Sequence, residues 1–246
     1  MKYGYVSEYV DLEGKKCKRS IVSKVFIVIF ACIKFIFDRC LAIFGLIVAF
    51  PLMLLLSIAI KVDSKGPILF KQARTGKGGK NFYVYKFRTM VANNDVHDFS
   101  KADQHTKFGK ILRATSLDEL PQLISIAIGK MSFIGPRPWI PDYYENMTEE
   151  QRHRCDVRPG LTGLAQVKGR NSITIFEKIN YDLEYIKNYS LLQDIKIIFW
   201  TIDAVINGKG ADAGKGTIQN ELEDLKRHKI ASLKPHKKNN KGKVSK

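Results

Sequence analysis

Apolar residues are concentrated in one part of this chain. From Cys40 to Ile60 the sequence reads CLAIFGLIVAFPLMLLLSIAI, 21 residues without a charge. At a rise of 1.5 Å per residue, a helix of this length matches a hydrocarbon core of about 30 Å. The run begins too late and is too long for a cleavable signal peptide. The pattern therefore predicts a membrane helix, and a shorter apolar segment at 25–33 would extend it or lie at the membrane interface.

Pro51 lies near the centre of this run, and proline disrupts a helix by removing a backbone hydrogen bond. One interpretation is a kinked helix that crosses the membrane, and the other is a helix that turns at Pro51 and leaves by the side it entered. Basic residues occur on both flanks: Lys15, Lys16, Lys18, Arg19 and Lys24 before the run, and Lys61, Lys65, Lys71, Arg74, Lys77 and Lys80 after it. Because basic flanks stay in the cytoplasm, the sequence favours the re-entrant path.

The chain after residue 61 has the pattern of a compact α+β domain that is mainly helical. Two β-rich segments, 68–72 and 81–90, flank GKGGK, which predicts a hairpin. Helical spacing follows at 107–113, 117–128 and 179–206, and the last of these predicts a helix packed on the core or lying at the membrane surface. Segments 133–141 and 157–171 are rich in Pro, Gly and Arg, which predicts rigid loops that position side chains.

The chain is strongly basic, with 41 Lys and Arg against 24 Asp and Glu and a net charge of +17. Its segment 207–246 lacks hydrophobic periodicity and is predicted to be a disordered tail that attracts anionic membrane lipids. The sequence contains no nucleic-acid recognition motif, so a nucleic-acid partner is not predicted. The four cysteines and five histidines show no metal-binding spacing, which favours reduced thiols and gives no support to a zinc site.

Two acids stand together in the segment SLDELPQLIS at 116–125. Ser116 and Glu119 have the spacing of a capping box, and Asp118 would suit the positive end of a helix dipole. The alternative interpretation is that Asp118 and Glu119 perform chemistry. The sequence around them decides between these two.

Five cations accompany the acids in motifs that have rigid or extended backbones: Lys86, Arg88, Arg113, Arg137 and Arg158. Arginine binds phosphate oxygens through two parallel hydrogen bonds. If these side chains converge on Asp118 and Glu119, they form a site for a phosphorylated substrate.

Several motifs resemble, in the same order, those of the bacterial sugar transferases known as monotopic phosphoglycosyl transferases, in their short form. They are FD at 37–38 before an apolar helix with a central proline, then YKFRTM, LRATSLDELPQL, MSFIGPRP and VRPGLTGLAQVKGRN. The resemblance extends from about residue 34 to residue 206. It implies a re-entrant membrane helix over 34–61 and a catalytic domain over 62–206, with residues 1–33 as an N-terminal extension and 207–246 as the tail.

The resemblance also implies a reaction. Such enzymes transfer a sugar-1-phosphate from a UDP-sugar to undecaprenyl phosphate, release UMP and begin the assembly of a capsule, O-antigen or exopolysaccharide. By motif, Asp118 would be the nucleophile that forms a covalent phospho-sugar intermediate, and Glu119 its partner at a Mg²⁺ site. The protein would lie in the bacterial inner membrane with its catalytic domain in the cytoplasm.

The sequence departs from the family pattern at one position and leaves the sugar, the functional class and the oligomeric state open. The family commonly has Ser before the proline of the helix, whereas this chain has Phe50, so a hydroxyl contribution to the break is missing. The short form favours an N-acetylated sugar, with UDP-glucose or UDP-galactose as the alternative donor. From another functional class, a non-catalytic membrane-anchored scaffold would also account for the charge. The oligomeric state is not indicated.

Overall fold

A computed structural model of the chain describes residues 8–10, 16–18, 20–91, 104–169, 172–206 and 218–233. The predicted mainly helical α+β fold is confirmed. The strands are β1 (Glu8–Val10), β2 (Lys16–Lys18), β3 (Leu69–Thr75), β4 (Asn81–Phe87), β5 (Ser132–Ile134) and β6 (Gly160–Thr162), paired as three small sheets. The helices are α1 (Ile21–Asp63), α2 (Lys107–Ala114), α3 (Gln122–Ala127), α4 (Pro141–Asn146), α5 (Glu149–Arg152), α6 (Leu164–Lys168), α7 (Ile175–Lys187), α8 (Leu191–Ile206) and α9 (Ile218–Leu233).

Helix α1 is longer than the predicted membrane helix over 34–61, because it includes the apolar segment 25–33, which the sequence predicts to extend the helix or to lie at the interface. It has 43 residues, which corresponds to about 64 Å, and its N-terminus is capped by the Ser20 hydroxyl, which accepts from the Ser23 N–H. Lys34 and Asp38 do not interrupt the helix, because they find polar partners in the domain. The domain boundary at residue 34 stays a prediction. The helix continues through Pro51, so no break is observed there, and the re-entrant path stays a prediction.

Among the described residues, α1 is the one helix long and apolar enough to cross a membrane. One face of it packs against the domain along most of its length. Near its start Ile27 packs with Leu164, Tyr185 and Ile197, and near its end Ile60 packs with Phe87 and Leu112. The opposite face is apolar and exposed. The domain therefore lies beside the helix and contacts both of its ends.

A buried polar network joins α1 to the rest of the protein. The Lys34 ammonium lies 2.5 Å from Asp194 Oδ2 and 3.9 Å from Asp38 Oδ2. The Tyr185 hydroxyl donates to Asp194 Oδ1 over 2.7 Å, and the Ser132 hydroxyl donates to Asp38 Oδ2 over 2.6 Å. Because buried charges are tolerated only when they are paired, this Lys34 network explains how an apolar helix carries a lysine and an aspartate.

The predicted hairpin is confirmed, but the segments predicted as loops are in part regular structure, because β5 and β6 lie in them and α6 occupies Leu164–Lys168. Strands β3 and β4 pair antiparallel, with Phe70 opposite Lys86. Strands β5 and β6 pair in parallel, which places the GPRP segment beside the RPGLTG segment. A Cβ atom at Gly160 or Gly163 would overlap the backbone of Gly135, so only glycine permits this approach of the two loops.

The prediction of a disordered tail over 207–246 is wrong for residues 218–233, which form α9. Leu225 of this helix is fully buried among Tyr143, Ile179 and Leu183. Glu221 accepts from the Tyr143 hydroxyl and pairs with Lys178 over 2.7 Å. The apolar residues Ile218, Leu222 and Leu225 have helical spacing, which the many charges of the segment concealed. Residues 207–217 and 234–246 lie outside the described part.

Candidate active site

Asp118 and Glu119 lie in a short 3-10 turn, Leu117–Glu119, between α2 and α3. Ser116, directly before this turn, has a left-handed backbone with φ of 56°, which is uncommon for any residue with a side chain. Its hydroxyl caps no N–H group, and α3 begins only after Pro121. The capping box that the sequence allows is therefore not formed.

The two carboxylates meet cations from two other segments. Lys86, from β4, places its Nζ atom 2.5 Å from Glu119 Oε1 and 3.9 Å from Asp118 Oδ2. Arg137, from the loop after β5, donates to the same Glu119 oxygen over 3.0 Å. These four residues form the carboxylate site. Asp118 is only 9% exposed, whereas the Arg137 side chain is 44% exposed, so the site is open on its arginine side.

The pKa values of the two acids are shifted in opposite directions. Burial raises the pKa of Glu119, but the charges of Arg137 and Lys86 outweigh it and lower that pKa to about 2. For Asp118, burial dominates and raises the pKa above its usual value, with the Glu119 charge adding to the rise and Lys86 opposing it. Glu119 is thus a permanent anion in an ion-pair cluster. Asp118 is the less stabilised anion, which suits a nucleophile.

The other three predicted phosphate ligands are placed differently. Arg113 lies on α2, where its guanidinium contacts the His105 ring over 2.8 Å and its charge lowers the pKa of Asp118. The Arg88 guanidinium is buried and donates to the carbonyls of Ser64 and Lys65, so it fastens the end of α1 to β4. The structure thus brings Lys86 and Arg137, and at longer range Arg113, to the acids, but not Arg88.

Arg158 is also directed elsewhere. Its Nε atom donates to the Gly129 carbonyl over 3.0 Å, and its guanidinium lies 4.0 Å from the centre of the Phe35 ring. Arg39 approaches the same ring, at 4.3 Å, and donates to the Ala127 carbonyl. Arg158 therefore contributes to the contact between α1 and the C-terminal end of α3, at a distance from the carboxylate site.

Two arginines near the site were missed by sequence reasoning. Arg74, on β3, donates to the Pro138 carbonyl over 3.2 Å, and its pKa is lowered to about 10 by burial and by the charge of Arg137. Arg154 donates to the Arg137 carbonyl over 2.8 Å and pairs with the buried Asp182. Both hold the backbone of the loop that presents Arg137. In β3, Gln72 and Arg74 are two residues apart and so lie on one face of the strand, which is a sequence signal for Arg74. No local sequence pattern indicates the position of Arg154.

The oxygens of Asp118 and Glu119 are of the type that would hold a Mg²⁺ ion shared with a substrate. Mg²⁺ prefers oxygen ligands and is held by one or two carboxylates together with water and substrate phosphates. Asp118 and Glu119 supply two carboxylates, and Lys86 and Arg137 occupy only one of the Glu119 oxygens. The described residues contain no group of three or more acidic, histidine or cysteine side chains that would hold a metal without substrate.

Comparison with known proteins adds an independent line of argument. Residues 29–208 match the model of the bacterial sugar transferase family. The chain is 40% identical over 195 residues to a UDP-glucose:undecaprenyl-phosphate glucose-1-phosphate transferase of Xanthomonas campestris pv. campestris, covering 74% of this chain and 40% of the relative. A protein of the same name from Caulobacter vibrioides is 43% identical over 173 residues, covering 65% of each chain.

A third relative differs in its sugar. It is the UDP-N-acetylgalactosamine-undecaprenyl-phosphate N-acetylgalactosaminephosphotransferase of Aeromonas hydrophila, 38% identical over 193 residues, which cover 74% of this chain and 46% of the relative. The chain thus spans about half of the length of such relatives.

Proposed function

Since the chain belongs to the bacterial sugar transferase family, we propose that it transfers a sugar-1-phosphate from a UDP-sugar to undecaprenyl phosphate, with release of UMP. The product would begin the assembly of an exopolysaccharide, capsule or O-antigen. The observation that carries this proposal is the carboxylate site, in which a nearly buried aspartate with a raised pKa lies beside an ion-paired glutamate, a lysine and an arginine.

The reaction proceeds in two displacements. A carboxylate oxygen of Asp118 attacks the phosphorus that bears the sugar, the bond to the bridging oxygen breaks, and UMP leaves with that oxygen. The resulting acyl phosphate carries the sugar covalently on Asp118. An oxygen of undecaprenyl phosphate then attacks the same phosphorus, which releases Asp118 and gives the sugar diphosphate lipid. The two substrates therefore never occupy the site together.

Charge neutralisation is the main requirement of this chemistry, because an anionic nucleophile approaches an anionic diphosphate. Lys86 and Arg137, which lie beside Asp118 and Glu119, would bind phosphate oxygens and stabilise the charge that develops on them. Arg137 is the more exposed of the two, so it meets an incoming substrate first. Asp118 and Glu119 would hold a Mg²⁺ ion, which would supply further positive charge to neutralise the diphosphate.

We propose that α1 enters and leaves the bacterial inner membrane from the cytoplasmic side. The packing of Ile27 and Ile60 on the same domain supports this, because a straight perpendicular span would place the two ends of the helix on opposite sides of the bilayer. The exposed apolar face of α1 would contact lipid. Leu191, Leu192 and Phe199 of α8 are exposed as well, which supports a membrane-surface position for that helix.

The three relatives described above differ in the sugar that their names give. Two of them are named for UDP-glucose and one for UDP-N-acetylgalactosamine. The expectation of an N-acetylated sugar therefore stays a prediction, with UDP-glucose or UDP-galactose as the alternative donor. A screen of UDP-glucose, UDP-galactose and their N-acetylated forms, measured by UMP release, separates the two.

The covalent step gives the sharpest test of the mechanism. Membranes that contain the protein are incubated with undecaprenyl phosphate, Mg²⁺ and UDP-sugars radiolabelled in the sugar. The unaltered protein should release UMP and, without acceptor, retain label on its chain. Asp118→Asn should abolish both, and Asp142→Asn, an exposed aspartate on α4, is the matched control. Label retained by Asp118→Asn would refute the assignment of the nucleophile, and absence of UMP with every donor would favour the scaffold alternative.

The topology needs a separate test, because Cys155 is buried and cannot report on accessibility. Single cysteines are introduced at Lys18 and Glu150, both exposed, in a variant in which the four native cysteines are replaced by alanine. A membrane-impermeant thiol reagent should label neither site in intact cells and both in lysed cells. Labelling of Lys18→Cys in intact cells would refute the re-entrant path.

A further inference from the structure

An open cavity of about 890 Å³ lies where the start of α1 meets α6 and the corner between α7 and α8. This volume is within the range of roughly 300–1,000 Å³ of small-molecule sites. Ile27, Leu164 and Tyr189, all buried residues of the core, form its inner wall. The cavity is therefore built on rigid elements.

The rim of the cavity combines apolar and basic groups. Phe26 and Phe30 of α1 lie on one side, and Leu191 and Leu192 of α8 lie on the other. Lys168, Lys187 and Lys196 also line the cavity, against a single acid, Glu184. Lysine side chains beside apolar surface favour a ligand that has an anionic group attached to a hydrocarbon part.

Two of these lysines, Lys168 and Lys196, lie near the ring of Trp200. The Lys168 ammonium lies 4.5 Å from the centre of the Trp200 ring, and Lys196 precedes Trp200 by one helical turn on α8. Both lysines are exposed, so their ammonium groups reach an incoming ligand. Tryptophan beside lysine is typical of the headgroup level of a membrane.

The cavity is distinct from the carboxylate site. Within the described part of the chain, the residues that line it differ from Lys86 and Arg137, which contact Asp118 and Glu119. An acceptor in the reaction must bring its phosphate to Asp118, and the cations whose charges act on Asp118 are Lys86 and Arg113, which do not line the cavity. Both helices that form its opening, α1 and α8, expose apolar faces beside it.

We propose that this cavity binds one anionic glycerophospholipid of the surrounding membrane. Its phosphate lies between Lys168 and Lys196, and one hydrocarbon chain lies against Phe26, Phe30 and Leu192. Such a lipid holds the start of α1 and the corner of α7 and α8 at a fixed depth. The inference rests on the membrane attachment in the proposed function, but not on the reaction.

Lipid retention by the purified full-length protein tests this site. The protein is reconstituted in phosphatidylcholine bilayers with or without phosphatidylglycerol, extracted, and examined by native mass spectrometry for bound lipid. Phosphatidylglycerol should be retained with a stoichiometry of one. Lys168→Gln with Lys196→Gln should lower its affinity by at least about tenfold, since each basic residue contributes to binding of anionic lipid. Lys168→Arg with Lys196→Arg should preserve it.

A charge-matched control excludes a general effect of net charge. Lys107→Gln with Lys226→Gln removes two exposed lysines outside the cavity and should leave retention unchanged. Equal loss in both double variants would overturn the proposal, as would retention of phosphatidylcholine alone. If undecaprenyl phosphate displaced phosphatidylglycerol and the Gln variant raised the KM for that acceptor, the cavity would be an acceptor site and the proposal wrong.

UMP release is measured on the same samples, so the two hypotheses fail separately. Protein that retains phosphatidylglycerol but releases no UMP would refute the proposed reaction and support the lipid site. Protein that releases UMP normally but retains no lipid would refute the lipid site and support the proposed reaction.

Discussion

The carboxylate site and the Lys34 network are both clusters of acids and cations, yet they differ in exposure. Lys34, Asp38 and Asp194 are each less than 10% exposed and are partnered by hydroxyl groups of Ser132 and Tyr185. In the carboxylate site, Lys86 is 23% and Arg137 is 44% exposed. The comparison shows that charge alone does not mark a functional site. A closed cluster serves the fold, and an open one is available to a ligand.

The largest expected effect is on the closed cluster. Lys34→Met leaves Asp194 and Asp38 buried beside each other without their cation, so the free energy of unfolding should fall by about 3–5 kcal/mol. Chemical denaturation in detergent measures it. Turnover per folded molecule should be nearly unchanged, since Lys34 is outside the carboxylate site.

Two controls separate the buried charge from the loss of a lysine as such. Lys24→Met, on the same helix, should have little effect. Lys34→Met combined with Asp194→Leu should recover part of the lost stability, because one of the two acids that lost their cation is removed. If the single variant were as stable as the original protein, the view that the network serves the fold would be wrong.

The open cluster should show the opposite behaviour. Glu119→Gln should lower turnover by about a hundredfold or more, because the amide retains the size of the side chain but loses the charge that orients Lys86 and Arg137 and holds Mg²⁺. Single-turnover UMP release over a range of Mg²⁺ concentrations measures the loss. Glu223→Gln, on the exposed surface of α9, is the matched control. Normal kinetics at low Mg²⁺ would contradict the role of Glu119.

Arg74 sharpens the comparison, because it lies beside the open cluster but acts on the loop backbone. Arg74→Gln should lower kcat by about tenfold through loss of the hydrogen bond to Pro138, which helps to place Arg137. Arg227→Gln, which removes an exposed guanidinium of α9, serves as control. An effect on KM for the UDP-sugar alone would show instead that Arg74 contacts substrate directly.

The smallest expected effect concerns Ser116. Its left-handed backbone costs about 1–2 kcal/mol in a residue that has a Cβ atom, whereas glycine costs entropy on folding. Ser116→Gly should therefore raise the free energy of unfolding by about 0.5–1 kcal/mol. Thr115→Gly should lower it, since φ at Thr115 is −92° and its hydroxyl donates to Ile111. A destabilised Ser116→Gly would show that the turn is not strained.

Local signals in the sequence predict much of this fold. The β3–β4 hairpin follows from β-rich segments around GKGGK, and α2 follows from helical spacing. The extent of α1 does not follow, because Lys34 and Asp38 suggest a boundary unless their distant partners are known. In the same way α9 is stabilised by packing of Leu225 on α4 and α7, which a local reading of a basic segment does not reveal.

The candidate site is predicted in part for a similar reason. The motifs indicate four residues of the site, and the structure brings their side chains together: Lys86, Arg137, Asp118 and Glu119. Arg88 follows Lys86 by only two residues, but β4 ends at Phe87, so its side chain turns to the carbonyls after α1. Arg154 reaches Arg137 through a tertiary contact that no local pattern indicates.

The separation of 160 residues between Lys34 and Asp194 also has a consequence for the synthesis of the protein. Helix α1 emerges early from the ribosome, and at about 5–20 residues per second Asp194 follows some 8–30 s later. During that interval Lys34 and Asp38, one turn apart on the same helix, have each other as partners at the membrane. If α1 enters the membrane as proposed, this ion pair within the helix would lower the cost of inserting the nascent segment before Asp194 is synthesised.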